Sequence, residues 1–265
     1  MQKFWRILRK ILTIAGILAG IALFVVVLTS AVQKQQQLTC KNVQVKIDYE
    51  SGLALINEEE VLQRLNVLSS GKLVGRVLSE IDFHTLETEL EKNPYVYNSE
   101  VFTNQKQEIV VQIVQKRPIL RVINNNGVSY YIGENSERIP LHRTFTPHVA
   151  VALGNVECYK DTKRDSAMQA ALYNLIQFVR KDDFLNALVD QVYVTQEDEI
   201  EIIPVSGMHT IYFGKADDRI EEKFNRLKIF YKEGLSKVGW NKYKSIDLKY
   251  NNQVVCEKND TTNAL

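Results

Sequence analysis

Residues able to do acid–base, nucleophilic or metal chemistry are sparse in this 265-residue chain, and their spacings fit none of the usual sites. The four histidines, His84, His142, His148 and His209, form no HExxH pair, the spacing that puts two imidazoles on one helix face around a zinc ion. No serine stands in a GxSxG elbow, and no GxGxxG or GxxxxGK loop is present to hold phosphate on backbone N–H groups. Cys40, Cys158 and Cys256 are too few and too scattered for a disulfide framework or a metal cluster. They allow at most one intramolecular bridge, and the sequence leaves open whether it forms. The acid pairs Asp182-Asp183 and Asp217-Asp218 fall at expected helix ends, where interaction with the helix dipole accounts for them. A glycosidase pair can assemble from residues far apart in sequence, but nothing here points to one. The expectation is a protein that is not an enzyme, with no cofactor, no metal and no small-molecule substrate.

The strongest physical signal is the uncharged apolar run from Ile11 to Val32, preceded by Lys3, Arg6, Arg9 and Lys10. At about 1.5 Å per residue a helix of this length crosses a hydrocarbon core about 30 Å thick. The four cations orient such a helix with its start on the cytoplasmic side. Thr29-Ser30-Ala31 offers small residues for signal-peptide cleavage, but the run exceeds the roughly 7–15 residues of an ordinary signal core. Gly16 and Gly20 make a GxxxG spacing that would let a second membrane helix pack closely, although small residues are common in such helices. All 32 acidic residues and 29 of the 33 basic ones follow the run, so the displayed part carries 29 − 32, or −3. That balance gives no broad basic field for a nucleic-acid backbone.

Beyond a polar connector over 33–40, Val43, Val45 and Ile47 alternate with polar residues, as a half-buried strand requires. Asn57 with Glu60 three residues on opens a helix that ends near Asn66. Gly71 and Gly75 interrupt the next stretch, and Asp82 caps a second helix that must stop before Pro94. Alternation over 95–103 and over 109–115 gives two strands. Strand, helix, helix, strand, strand over 41–117 is a compact α+β unit.

A second unit spans 118–256. Asn124-Asn125-Asn126-Gly127 is a hairpin turn between 120–124 and 127–133. Helical spacing covers 164–180 and 219–235, and strands are expected at 189–194, 199–203, 208–213, 245–250 and 254–256. The polar tail 257–265 is expected to fray. The predicted fold class is α+β: one N-terminal transmembrane helix over 11–32 behind a cytoplasmic tail of residues 1–10, then the first unit, then a mixed α/β domain built on an antiparallel sheet.

Four segments carry a family resemblance. Asn93-Pro94-Tyr95-Val96, with Lys116-Arg117-Pro118 closing the next strand, is similar to the Pro-Trp-Val and Glu-Arg-x-Pro segments of the POTRA domain of FtsQ/DivIB cell-division proteins. Gly127-Val128-Ser129-Tyr130-Tyr131-Ile132 and Arg138-Ile139-Pro140-Leu141 resemble the hairpin opening that family's β domain. Gly207 to Gly214, with Asp218 and Glu222-Lys223-Phe224, resembles its strand, glycine and Glu-Lys-Leu helix start. Ile246-Asp247-Leu248-Lys249-Tyr250, followed by Gln253-Val254-Val255, resembles its terminal Val-Asp-Leu-Arg-Tyr strand pair. The order of these segments over nearly the whole chain is more specific than any one of them, and the closest likeness is to divergent, Bacteroidetes-type members.

The resemblance implies a non-catalytic, bitopic inner-membrane protein of the division septum, with periplasmic POTRA-like and β domains. Its implied partners are FtsB-like and FtsL-like coiled-coil membrane proteins and other divisome components that assemble septal peptidoglycan synthesis. Edge pairing at the last strands places Ile246, Leu248, Lys249, Tyr250 and Val254 at the partner surface, with Lys249 and Tyr250 on the family's Arg-Tyr pair. Asn251-Asn252 and Cys256-Glu257-Lys258 depart from the family's Gly-rich, Trp-containing ending, which implies a shifted or differently shaped surface there. Alternatively, the strand is covered by the last one, or the chain is a POTRA-containing polypeptide-handling module of envelope assembly or secretion.

Overall fold

A computed structural model of the chain describes Gly16, Leu18 and residues 20–26, 38–49, 52–156, 163–206 and 209–259. The basic cluster Lys3, Arg6, Arg9 and Lys10, much of the expected membrane span, and Cys158 lie outside the described residues. Residues 20–26 are helical and exposed, and a Cβ placed on Gly16 or Gly20 would meet nothing within 4 Å. Among the described residues no helix is long and apolar enough to cross a membrane.

The first unit runs β1 (Asn42–Ile47), α1 (Glu58–Leu68), α2 (Phe83–Glu91), β2 (Val96–Thr103) and β3 (Glu108–Gln115). The Asn57 side chain accepts from the Glu60 N–H at 2.8 Å, and Asp82 accepts from the Thr85 N–H at 3.1 Å. Each bond satisfies a donor that the helix start leaves free and is worth about 1 kcal/mol. Helix α1 continues to Leu68, past the expected end at Asn66. Strand β3 lies centrally, parallel to β1 and antiparallel to β2. A parallel pair needs a crossover, which α1 and α2 supply while burying Val61, Leu65, Leu86 and Leu90. Part of the expected connector is structured: the Cys40 N–H donates to Arg76 O at 2.8 Å, and the Gly75 N–H returns to Cys40 O at 2.7 Å.

The second unit starts with β4 (Pro118–Asn124), β5 (Ser129–Gly133), β6 (Arg138–Ile139) and β7 (Ala150–Gly154). It continues through α3 (Lys163–Arg180), α4 (Asp183–Leu188), β8 (Val189–Val194), β9 (Ile200–Pro204) and β10 (Thr210–Gly214). Helix α5 (Ile220–Ile229) passes into a π-helical turn, Phe230–Leu235, and a last turn, Ser236–Val238; β11 (Tyr243–Asp247) and β12 (Val255–Lys258) finish it. The nine strands form one sheet in the order β12-β11-β10-β9-β8-β7-β4-β5-β6. The expected antiparallel sheet is in fact mixed, since β4–β7, β7–β8 and β10–β11 are parallel. Helix α3 lies in the crossover from β7 to β8 and helix α5 in that from β10 to β11, while β5, β6 and residues 140–149 carry the chain from β4 to β7. The two helices share one face, where Phe178 stacks on Phe224 at 5.5 Å above a core including Val192, Ile202, Ile211 and Ile246.

Strand β7 and helix α4 were not set apart beforehand, and β6 was noted only within the segment Arg138-Ile139-Pro140-Leu141. Beta-6 has two residues and β7 five, too short for a clear alternation. The last two strands are also displaced: β11 starts at Tyr243 and stops at Asp247, and β12 takes Glu257 and Lys258 from the expected tail.

Candidate partner-binding edge

At the C-terminal border of the large sheet, β11 lies between β10 and β12. Ile246 pairs with Ile211 on one side and Cys256 on the other, so its backbone is enclosed by strands. Its side chain is fully buried, as is that of Leu248, whose N–H donates to Tyr212 O at 2.9 Å. These two residues therefore build the core and present no surface. The open edge is one strand further out, on β12, which has no outer neighbour among the described strands.

Lys249 and Tyr250 lie just past β11 and face outward. Tyr250 is 50% exposed. The Lys249 ammonium donates to Glu199 at 3.2 Å, which raises its pKa, and it sits 6.0 Å from the Tyr212 ring centre. Val254 and Cys256 turn inward and pack partly against the core, while Val255 is exposed. Burial pushes the Cys256 thiol up to about 11, leaving it a neutral, unreactive group; Cys40 and Cys256 are both free thiols. The surface thus joins Lys249 and Tyr250 to β12, with Val254 at the margin.

Arg226 on α5 fixes the loop between these strands. Its guanidinium donates to Leu248 O at 3.0 Å, to Gln253 O at 2.8 Å and to Tyr250 O, and Glu222 lies 3.7 Å from its Nε. Three carbonyls that no strand neighbour uses thereby gain a charged donor. Arg219 reaches the same loop through the Asn251 side chain.

A second network holds the start of α5. The Asp217 carboxylate accepts from the Arg219 N–H at 3.1 Å and lies 3.3 Å from the ammonium of Lys223, which is only 1% exposed. Lys223 also donates to Lys215 O at 2.6 Å and lies 4.9 Å from the Phe213 ring centre. Burial lowers the Lys223 pKa against the opposing pull of Asp217. Burial also works against ionisation of Asp217, but Arg219 and Lys223 outweigh it and hold the carboxyl at about 2. Just before this turn, Gly214 has φ +73° and approaches Lys249 so closely that a Cβ would stand 2.8 Å from its Cγ.

The Glu222-Lys223-Phe224 segment was visible in the sequence, but the burial of its lysine was not. The Asp217-Asp218 pair lies just before the start of α5, whose cap residue is Arg219, and Asp217 in addition ties this turn to a buried cation. Arg226 could not be distinguished, because its spacing on an amphipathic helix does not say which carbonyls it meets. Among the described residues no group of three or more His, Cys, Asp or Glu side chains could hold a metal ion.

The family model described as FtsQ/DivIB, C-terminal related, matches residues 117–257, and one described as POTRA-like domain matches residues 38–114. In a direct search, no curated protein matches the chain closely enough to be counted.

Proposed function

Because the chain belongs to the FtsQ/DivIB-related family, we infer that it acts as a non-catalytic scaffold of the bacterial division machinery. It receives FtsB-like and FtsL-like coiled-coil membrane proteins and helps to assemble and control septal peptidoglycan synthesis. The single observation that carries this reading is the free edge of β12 beside the half-exposed Tyr250. An added strand would take its backbone hydrogen bonds from β12 and its side-chain specificity from Tyr250, Lys249 and Val255.

The charge-free run over 11–32, behind Lys3, Arg6, Arg9 and Lys10, supports a single membrane anchor with the folded units on the periplasmic side. Leu18, Ile21, Leu23 and Phe24 are exposed apolar side chains, consistent with a helix made for lipid. Gly16 and Gly20 offer a surface for a neighbouring membrane helix.

A functional N-terminal fluorescent fusion at native level tests the reading. Collection at midcell before constriction is the expected result. An even envelope signal throughout division would overturn it in favour of a polypeptide-handling module, the reading that the POTRA-like unit alone would allow.

A further inference from the structure

The corner where α5 ends is built unlike the rest of the second unit. The α-helical ladder widens into the π-helical turn Phe230–Leu235, a geometry rare in proteins and concentrated at functional sites. Gly239 then takes φ +96°, and residues 236–242 form an unbroken exposed run. That run displays Val238 and Trp240, each 49% exposed, between Lys237 and Lys242.

Trp240 is held rather than loose. Its ring meets Tyr231 edge-on at 5.8 Å, and the exposed Phe184 meets the same tyrosine from another side at 5.7 Å. Tyr231 is itself buried. The result is a fixed aromatic platform with an apolar rim, and the Trp240 indole N–H makes no hydrogen bond among the described residues. Neither the 470 Å³ cavity of the first unit nor the 570 Å³ cavity of the second is lined by Trp240, Val238 or Phe184. Displayed on an exposed run and outside both of these cavities, the patch suits a flat, deformable surface better than a protruding side chain of a partner protein.

Charge identifies that surface. Over residues 226–244 six cations stand against one acid, and although Arg226, Lys228 and Lys244 are engaged by Glu222, Asp182 and Glu257, the lysines on either side of the apolar corner are not all neutralised. Lys237 pairs with Glu233 at 3.1 Å, but Lys232 and Lys242 are exposed and have no ion pair among the described residues. Lysine stems long enough to lie along apolar surface, around an indole with a free N–H, are the chemistry that settles at the headgroup level of a bilayer.

We propose that the Val238–Trp240 corner binds the surface of an anionic lipid bilayer, with Trp240 entering the headgroup layer and Lys232, Lys237 and Lys242 meeting the lipid charges. Each lysine brought to such a surface strengthens binding about fivefold. The contact goes beyond the scaffold role and uses a face other than the β12 edge. A membrane anchor would strengthen it by keeping the corner close to lipid.

The chain has two tryptophans, so Trp5→Phe leaves Trp240 as the sole indole reporter. The full-length Trp5→Phe protein would be placed in nanodiscs of brominated phosphatidylglycerol or brominated phosphatidylcholine, with unbrominated discs as references. The expected result is loss of most Trp240 emission in the anionic brominated discs and little loss in the zwitterionic ones. The loss should reverse in about 1 M salt, where the Debye length falls to about 3 Å, and in the Lys232→Gln/Lys237→Gln/Lys242→Gln variant. These lysines are exposed, so the variant keeps its fold, which near-ultraviolet circular dichroism checks. Unquenched emission in both discs overturns the proposal, as does equal quenching irrespective of lipid charge. So does emission that changes only when a partner protein is added. Because midcell position does not enter this readout, its failure and that of the scaffold reading are distinguishable.

Discussion

The two borders of the nine-stranded sheet solve the same problem in different ways. Any border strand offers unpaired N–H and C=O groups to another chain. At the β6 border the strand is two residues long, Ile139 is buried, and Arg138 donates to Gln169 of α3 at 2.9 Å. Gln169 in turn donates to Ser136 O at 2.9 Å. That border is short and tied back onto its own domain. At the β12 border the strand is twice as long, Val255 points out, and Lys244 pairs with Glu257 at 2.7 Å across the β11–β12 ladder. Arg226 secures the loop leading into this strand from the helix side. One border is short and tied back, and the other is longer and has no strand outside it among the described residues.

The largest expected effect is on binding. Successive residues of a strand direct their N–H groups to opposite sides. Of Val255→Pro and Cys256→Pro, one therefore removes a bond to β11 and the other removes only a donor on the open side. The variant that keeps the wild-type urea midpoint should abolish binding to the FtsB/FtsL-type pair in a calorimetric titration. Full affinity in that variant would place the interface elsewhere.

Stability should separate the borders next. Ile139→Ala removes a fully buried side chain and should cost about 2–4 kcal/mol, whereas Val255→Ala should change stability by under about 0.5 kcal/mol. Urea unfolding in the Trp5→Phe background, followed by Trp240 emission, measures both, and equal losses would break the contrast. Arg226→Ala should cost about 2 kcal/mol, because charged hydrogen bonds to three carbonyls are lost together. The same variant should weaken partner binding, since Tyr250 loses its fixed position.

The smallest effect is pH-dependent. The Asp217 carboxyl is held at about 2, below its ordinary value of 3.8. The folded state therefore favours the ionised form, so its stabilisation is complete above about pH 5 and disappears as pH falls through 3.8 towards 2. Since about a third of that side chain meets solvent, the contribution is roughly 1–2 kcal/mol. Asp217→Asn should flatten the acid limb of the stability profile by that amount, and an unchanged profile would remove the network from the account of how α5 is held.

Local patterns made much of this protein legible. Alternation at Val43, Val45 and Ile47, the caps Asn57 and Asp82, the stop before Pro94 and the hairpin turn at Asn124 to Gly127 all follow from interactions within a few residues. The helical spacings of α3 and α5 are of the same kind, as is the succession of segments that marks the family. Sheet order is different, because it depends on which strand meets which across more than a hundred residues. No local pattern shows that β11 is enclosed on both sides, that β7 enters parallel between β4 and β8, or that a two-residue strand closes one border. The expected contact residues divided for the same reason. A strand's apolar face can be read from its period, but its open edge is decided only when every neighbour is in place. Ile246 and Leu248 thus went to the core, Lys249 and Tyr250 stayed at the surface, and Arg226 and the pair of buried Lys223 with Asp217 acquired their roles only through folding.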